Sequence, residues 1–230
     1  MKKTILILVM VLGFATIVSA QYKPTSGFDV EVNFRPFNAS PIQLDYLKAR
    51  MFLNETMAIR LGLELSSYSE TNKVAIPTGS TNKVEQVTKN SYFVFGLHPG
   101  IEMHIANDAE RFSPYIGAEI DFTMKSASTD VTGVGNDATK TSNVDGSWSG
   151  GSNPAFTNVG LNLLVGADYY FTKHIYMGAE FGFGFHSMSY KDVVTTNVVS
   201  GASTSVTALG NSSTTLGVNY NSAIRLGWSF

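Results

Sequence analysis

The stretch TTLGVNYNSAIRLGWSF, Thr214 to Phe230, decides how the chain is read. Taken in twos, Leu216, Val218, Tyr220, Ser222, Ile224, Leu226, Trp228 and Phe230 fall on one side. Thr215, Gly217, Asn219, Asn221, Ala223, Arg225, Gly227 and Ser229 fall on the other. A period of two over this length predicts a strand with one apolar and one polar face. Either a protein core or lipid must cover the apolar face, and the rest of the chain discriminates between them.

The same alternation recurs upstream. Phe28, Val30, Val32 and Phe34 form the first apolar face, and Leu47, Ala49 and Met51 the second. Ile42 and Leu44 have the wrong parity for that second face, which calls for a bulge or a later start. Further faces run through Ile59 to Leu65, Phe93 to Ile105, Ile116 to Phe122, Val159 to Phe171 and Ile175 to Phe185. With the last stretch, the pattern predicts an all-β, eight-stranded antiparallel up-and-down barrel. Short turns are expected at 54–56, 106–112 and 172–174. Long polar loops are expected at 66–90, 125–154 and 190–213. Short turns at one rim and long loops at the other are the asymmetry of an outer-membrane barrel, with both termini on the periplasmic side.

The start of the chain reads differently. Lys2 and Lys3 precede the apolar run Ile5 to Val18, and Val18-Ser19-Ala20 supplies small residues. Residues 1–20 are therefore expected to be a cleavable secretory signal peptide, cut between Ala20 and Gln21. The run is short for a spanning helix, which needs ~20 residues. Residues 21–230 are expected to form the barrel. The 230-residue chain has no cysteine, so a disulfide framework is excluded. A formal net charge of -2 gives no reason to expect nucleic-acid binding. Charged residues make up 15% of the chain, against roughly 25% in soluble domains.

Two features bear on the choice between lipid and a soluble core, and the first, which a soluble core shares, does not decide it alone. The apolar faces carry no charge, and Arg or Lys there would cost ~2–4 kcal/mol at the midplane of a membrane. The opposite faces are rich in glycine, including Gly62, Gly100, Gly117, Gly166, Gly178 and Gly227. Glycine weakens a strand that faces water, whereas a narrow interior needs small residues beside large ones. Aromatics gather at strand ends as two expected belts. Phe52, Phe112, Tyr169, Tyr170, Phe171, Trp228 and Phe230 lie at one end, and residues such as Phe37, Tyr68, Tyr92 and Tyr190 at the other.

The chain resembles the outer membrane protein β-barrel domain family, the OmpA/OmpX-like small barrels of Gram-negative bacteria. The resemblance is carried by Leu47-Lys48-Ala49-Arg50 with Ala58-Ile59-Arg60-Leu61-Gly62, by Pro99-Gly100-Ile101-Glu102 and by Ser113-Pro114-Tyr115-Ile116-Gly117-Ala118-Glu119. The closing Arg225-Leu226-Gly227-Trp228-Ser229-Phe230 completes it. The resemblance implies an outer-membrane location in contact with lipid. It also implies that Tyr220, Leu226, Trp228 and Phe230 are read by the barrel-assembly machinery. The family is functionally mixed, so no activity follows.

The polar faces collect Glu31, Glu64, Glu102, Glu119, Asp121, Asp168 and Glu180 against Arg35, Lys48, Arg50, Arg60 and Arg225. One reading is the lining of a small channel. The other is a charge-paired plug, favoured because the bore of eight strands is only wide enough for side chains. His186 with Ser187, Ser189 and Glu180 invites a lipid-modifying hydrolase, but strand parity puts both serines on the opposite face, so no triad follows. His98 and His104 are six residues apart on one face, too far to share a metal without other ligands. No catalytic, cofactor or metal residue is assigned. The expectation is a non-enzymatic barrel that serves the envelope or binds an extracellular ligand through its loops.

Overall fold

The computed structural model describes residues 22–24, 26–34, 42–77, 83–134, 139–219 and 224–230. The cleavage site Ala20–Gln21, the lumen candidate Arg35, the belt residue Phe37 and the assembly candidate Tyr220 lie outside the described residues. The described chain is antiparallel β throughout, in fourteen strand segments. None of its segments is a helix long and apolar enough to cross a membrane.

The wall is a closed circuit. Strand β1 (Gly27–Phe34) pairs with β2 (Ile42–Asn54), then come β3 (Met57–Pro77), β4 (Lys83–His104) and β5 (Phe112–Thr132). β5 pairs with β9 (Phe156–Tyr170), β9 with β10 (Ile175–Tyr190), and β10 with β14 (Ile224–Ser229), which returns to β1. Every pairing is antiparallel, so no edge is left open along this part of the wall, as lipid requires. The stretch that opens the sequence reading is divided into β13 (Ser212–Asn219) and β14, both paired with β10. Gly178 faces Arg225 and Gly182 faces Asn219, so four steps on β10 stand against six on the last strand. A slip by an even number keeps the two faces in phase. The expected irregularity in β2 falls where pairing jumps from Val32↔Leu47 to Asn33↔Gln43.

Side chains are arranged the reverse of a soluble barrel. Leu163 is 62% exposed and Phe181 60%, while Arg50 and Glu102 on the inner face are fully buried. The outward apolar run goes from Phe112 to Phe122 on β5 and from Val159 to Tyr169 on β9. That meets the ~9–11 residues a tilted strand needs to cross a bilayer. Glycines make room inside. A Cβ on Gly166 would overlap the Tyr115 ring, and one on Gly227 the Tyr176 ring. These tyrosines fill the bore because their neighbours have no side chain.

Two expectations are corrected. The regions expected as long loops are largely strand. β3 and β4 stay paired out to Pro77 and Lys83. Beyond Lys125, β5 exchanges its neighbour β9 for β6 (Thr141–Asp145), followed by β11 (Val193–Val199) and β12 (Ala202–Ala208). All seven residues of β12 are exposed. A strand wet on both faces has no apolar period to read, so its Ser, Thr and Val content looked like loop. Phe52 and Tyr170, expected in the aromatic belt at the short-turn end, instead point inward and are buried. Phe112, Tyr169, Trp228 and Phe230 do face outward.

The short turns are built locally. Asn54 Oδ1 accepts hydrogen bonds from the Thr56 amide at 2.9 Å and its hydroxyl at 3.0 Å. Thr172 Oγ1 accepts from the amides of His174 and Ile175. Both side chains stand in for backbone and fix a tight reversal.

Candidate functional site

The interior of the barrel is charged and organised around Arg50. Parity turns Lys48 and Arg50 inward, since Leu47 and Met51 face out. Arg50 Nη1 lies 3.0 Å from Glu102 and 2.6 Å from Asp168, Nη2 lies 3.0 Å from Asp29, and Nε lies 3.0 Å from Glu31. These carboxylates come from β1, β4 and β9, so the arginine spans the bore.

Register creates a difficulty that Glu102 resolves. Arg50 and Arg60 stand directly opposite on β2 and β3, and like charges in that position repel. Glu102 accepts from both, with Oε2 3.0 Å from Arg50 and Oε1 2.9 Å from Arg60. Arg60 also reaches Glu180 at 2.6 Å and Glu119 at 2.8 Å. Arg225 on β14 holds Glu31 at 2.9 Å and Asp168 at 3.0 Å. Lys48 adds a 2.9 Å contact to Glu31. Such ion pairs carry a desolvation cost that only dense pairing offsets.

Around the charges lie groups that the sequence reading did not assign. Asp29 is fully buried and bonds both Arg50 and the Ser229 hydroxyl, at 2.6 Å for the latter. Tyr176 donates to Glu31 at 2.8 Å, and Tyr115 donates to Glu180. All three occupy inward parity. Tyrosine was read for its ring, although a buried phenol also needs an acceptor.

Farther from the short turns, the bore holds a second cluster. His98 Nδ1 sits 2.8 Å from Asp121 Oδ1, and Asn162 donates to the other Asp121 oxygen. His186 Nε2 lies 3.0 Å from Asn162 Oδ1 and 3.7 Å from Asp121. Glu64 stands 3.9 Å from His98 Nε2. His104 does not join this group; it bonds Ser113 at 2.8 Å near the opposite rim. Ser187 and Ser189 are exposed, so no serine is aimed at His186 from those positions.

Both ends of the bore are covered. At the rim with the short turns, Tyr22 packs with Tyr170 and Tyr176, and Arg111 lies over the Tyr22 ring at 4.2 Å. At the other rim, residues 146–155 fold against the inner face of β5. Lys125 donates to Asn153 at 2.7 Å, Thr129 to the Ser147 carbonyl at 3.4 Å, and Gly150 to Thr129 at 3.2 Å. Trp148 packs on Tyr68 and Tyr92 there.

The proposed assembly residues lie along the seam at the short-turn rim. Trp228 stacks on His174 with ring centres 6.0 Å apart, and the Phe230 amide donates to Phe28 at 2.9 Å. Leu226 shares their outward parity and is half-buried.

A closed antiparallel wall, apolar outside and ionic inside, defines an outer-membrane β-barrel protein. Residues 31–221 match the family described as putative OmpA-OmpF-like porins, and the chain belongs to that family. No curated protein matches it. Among solved structures, the outer membrane protein OprG from Pseudomonas aeruginosa is similar at 12% identity. The match covers 89% of this chain and 93% of that one, with a TM-score of 0.36, too low to carry an argument.

Proposed function

We propose that the protein is an eight-stranded, non-enzymatic outer-membrane barrel whose bore is plugged by its own ion pairs. Its role is to support the envelope and to present its hairpin sheet for binding outside the cell. The observation that carries this reading is Arg50, fully buried and tied to carboxylates from three strands across the bore. A hydrated ion would have to displace those contacts to pass.

In this reading residues 1–20 direct export and are removed, the short turns face the periplasm, and the outward apolar faces contact lipid. Leu226, Trp228 and Phe230 are the residues offered to the barrel-assembly machinery. The test is conductance of the purified, folded protein in planar bilayers. A silent bilayer, with the protein's presence verified in the same membrane, is the expected result. Discrete conductance steps would overturn the plug and assign a small channel.

A further inference from the structure

We propose that the end of the bore away from the short turns holds one divalent first-row transition metal ion, bound by His98, Glu119 and Asp121 with His186 beside them. This site does not depend on whether the bore conducts. His98, Glu119 and Asp121 are all buried and can bring one ligand atom each to within 4.8 Å of one another. A tetrahedral ion with bonds of about 2.0–2.1 Å spaces its ligands by about 3.4 Å, so closure of little more than an ångström completes the set. Imidazole together with carboxylate selects Zn²⁺-like ions over Mg²⁺ or Ca²⁺, which prefer oxygen alone.

Three further observations point to a cation. First, two buried polar atoms have no hydrogen-bond partner, His98 Nε2 and Glu119 Oε2. Glu119 Oε2 does lie 2.8 Å from Arg60, but off the hydrogen-bond direction. Arg60 is already matched by Glu102 and Glu180, so Glu119 can turn to a metal. Second, the two edges of the His98 ring face different groups. Nδ1 is held 2.8 Å from Asp121, which leaves Nε2, 3.9 Å from Glu64 and without a hydrogen-bond partner, as the nitrogen open to a metal.

Third, the network is short of positive charge. Seven buried acids (Asp29, Glu31, Glu102, Glu119, Asp121, Asp168 and Glu180) stand against five buried lysines and arginines (Lys48, Arg50, Arg60, Lys125 and Arg225) among the described residues. One more basic side chain would still leave the balance negative, and uncompensated buried charge is costly. Arg60 already lies 2.8 Å from Glu119, and a dication placed between Glu119 and Asp121 adds positive charge beside Asp121, which no arginine meets among the described residues.

The backbone prepares the position. His98 and Asp121 lie opposite each other on β4 and β5, between the paired steps Leu97↔Phe122 and Gly100↔Glu119. Pro99 follows His98 and has no N–H to give to the ladder. Glu119 and Asp121 are two residues apart and so share the inner face.

The experiment uses the untagged full chain, refolded in detergent, freed of metal with a chelator and titrated with Co²⁺ and then Zn²⁺. We expect one Co²⁺ per chain with the visible absorption of a four- or five-coordinate ion, displaced by Zn²⁺. H98Q and D121N should each weaken uptake at least about tenfold, the scale on which even outer-shell changes act. H174Q, in the exposed turn, should leave it unchanged. Each variant is first checked for the gel-mobility difference between folded and boiled protein, with E119Q replacing any that fails to fold. Absence of the Co²⁺ band in the parent chain would overturn the proposal. So would a band that persists in the folded inner-face variants and disappears in H174Q.

Discussion

The wall of the barrel and the hairpin sheet beyond it use the same antiparallel ladder but are held differently. In the wall one face is apolar and exposed and the other is a packed ionic interior, so every side chain has an assigned side. In the sheet of β6, β11 and β12 exposure grows along the series: β6 keeps Val144 buried, β11 is mostly half-buried, and β12 is exposed throughout. A side chain on the wall is therefore constrained by what lies on its own face. On the sheet, backbone pairing and contacts such as Thr196 to Ser205 do most of the ordering.

The comparison is tested most strongly at its centre. R50A leaves several buried carboxylates without their partner and should cost about 3–5 kcal/mol, the range for breaking a buried pair. Urea unfolding of the refolded protein in lipid would measure it. A loss under 1 kcal/mol would mean the network contributes little.

Next in size is L163R, which places a cation on the outward face at mid-wall and should cost about 2–4 kcal/mol. V206R on β12 should stay within about 0.5 kcal/mol. Equal effects at the two sites would erase the distinction between wall and sheet.

Glycine offers a smaller contrast. G166A pushes a methyl group into the Tyr115 ring and should cost about 1–3 kcal/mol, as overpacking does. G217A, where a Cβ meets nothing within 4 Å, should be neutral or slightly stabilising. Thermal loss of the folded gel form ranks the two variants, and the reverse order would refute the packing role given to Gly166.

The smallest effect is expected from K73A. Lys73 and Glu85 form a 2.8 Å pair on the hairpin, with side chains 63% and 57% exposed. Solvent screens such pairs, so the change should be about 0–1 kcal/mol and should shrink further in high salt.

Parity was readable wherever one face was buried. It placed Glu102, Asp168 and Arg225 on the inner side from the alternation of their neighbours alone. It could not show that Arg50 meets Asp168, because the contact joins residues 118 apart that approach only when the wall closes. The same limit hid the cluster around His98. Its partners Asp121 and Glu64 are on the neighbouring strands, whereas its own strand offers only one other histidine, His104, on that face. Asp29, Tyr115 and Tyr176 share that inward parity, but their partners Arg50, Glu180 and Glu31 come from other strands and meet them only when the wall closes. β12 is illegible for a different reason, since exposure on both faces removes the alternation.

Arg225 gives the seam between the first and last strands a way to verify its own alignment. It stands next to Asn33 in the ladder and reaches Glu31 and Asp168 inside. If β14 closed against β1 one residue out of step, Arg225 would turn to lipid and Trp228 into the bore. Glu31 would also lose one of its cations. A misaligned closure therefore incurs penalties on both sides of the wall at once, and this single arginine makes the ring error-intolerant at the point where the two ends of the barrel must find each other.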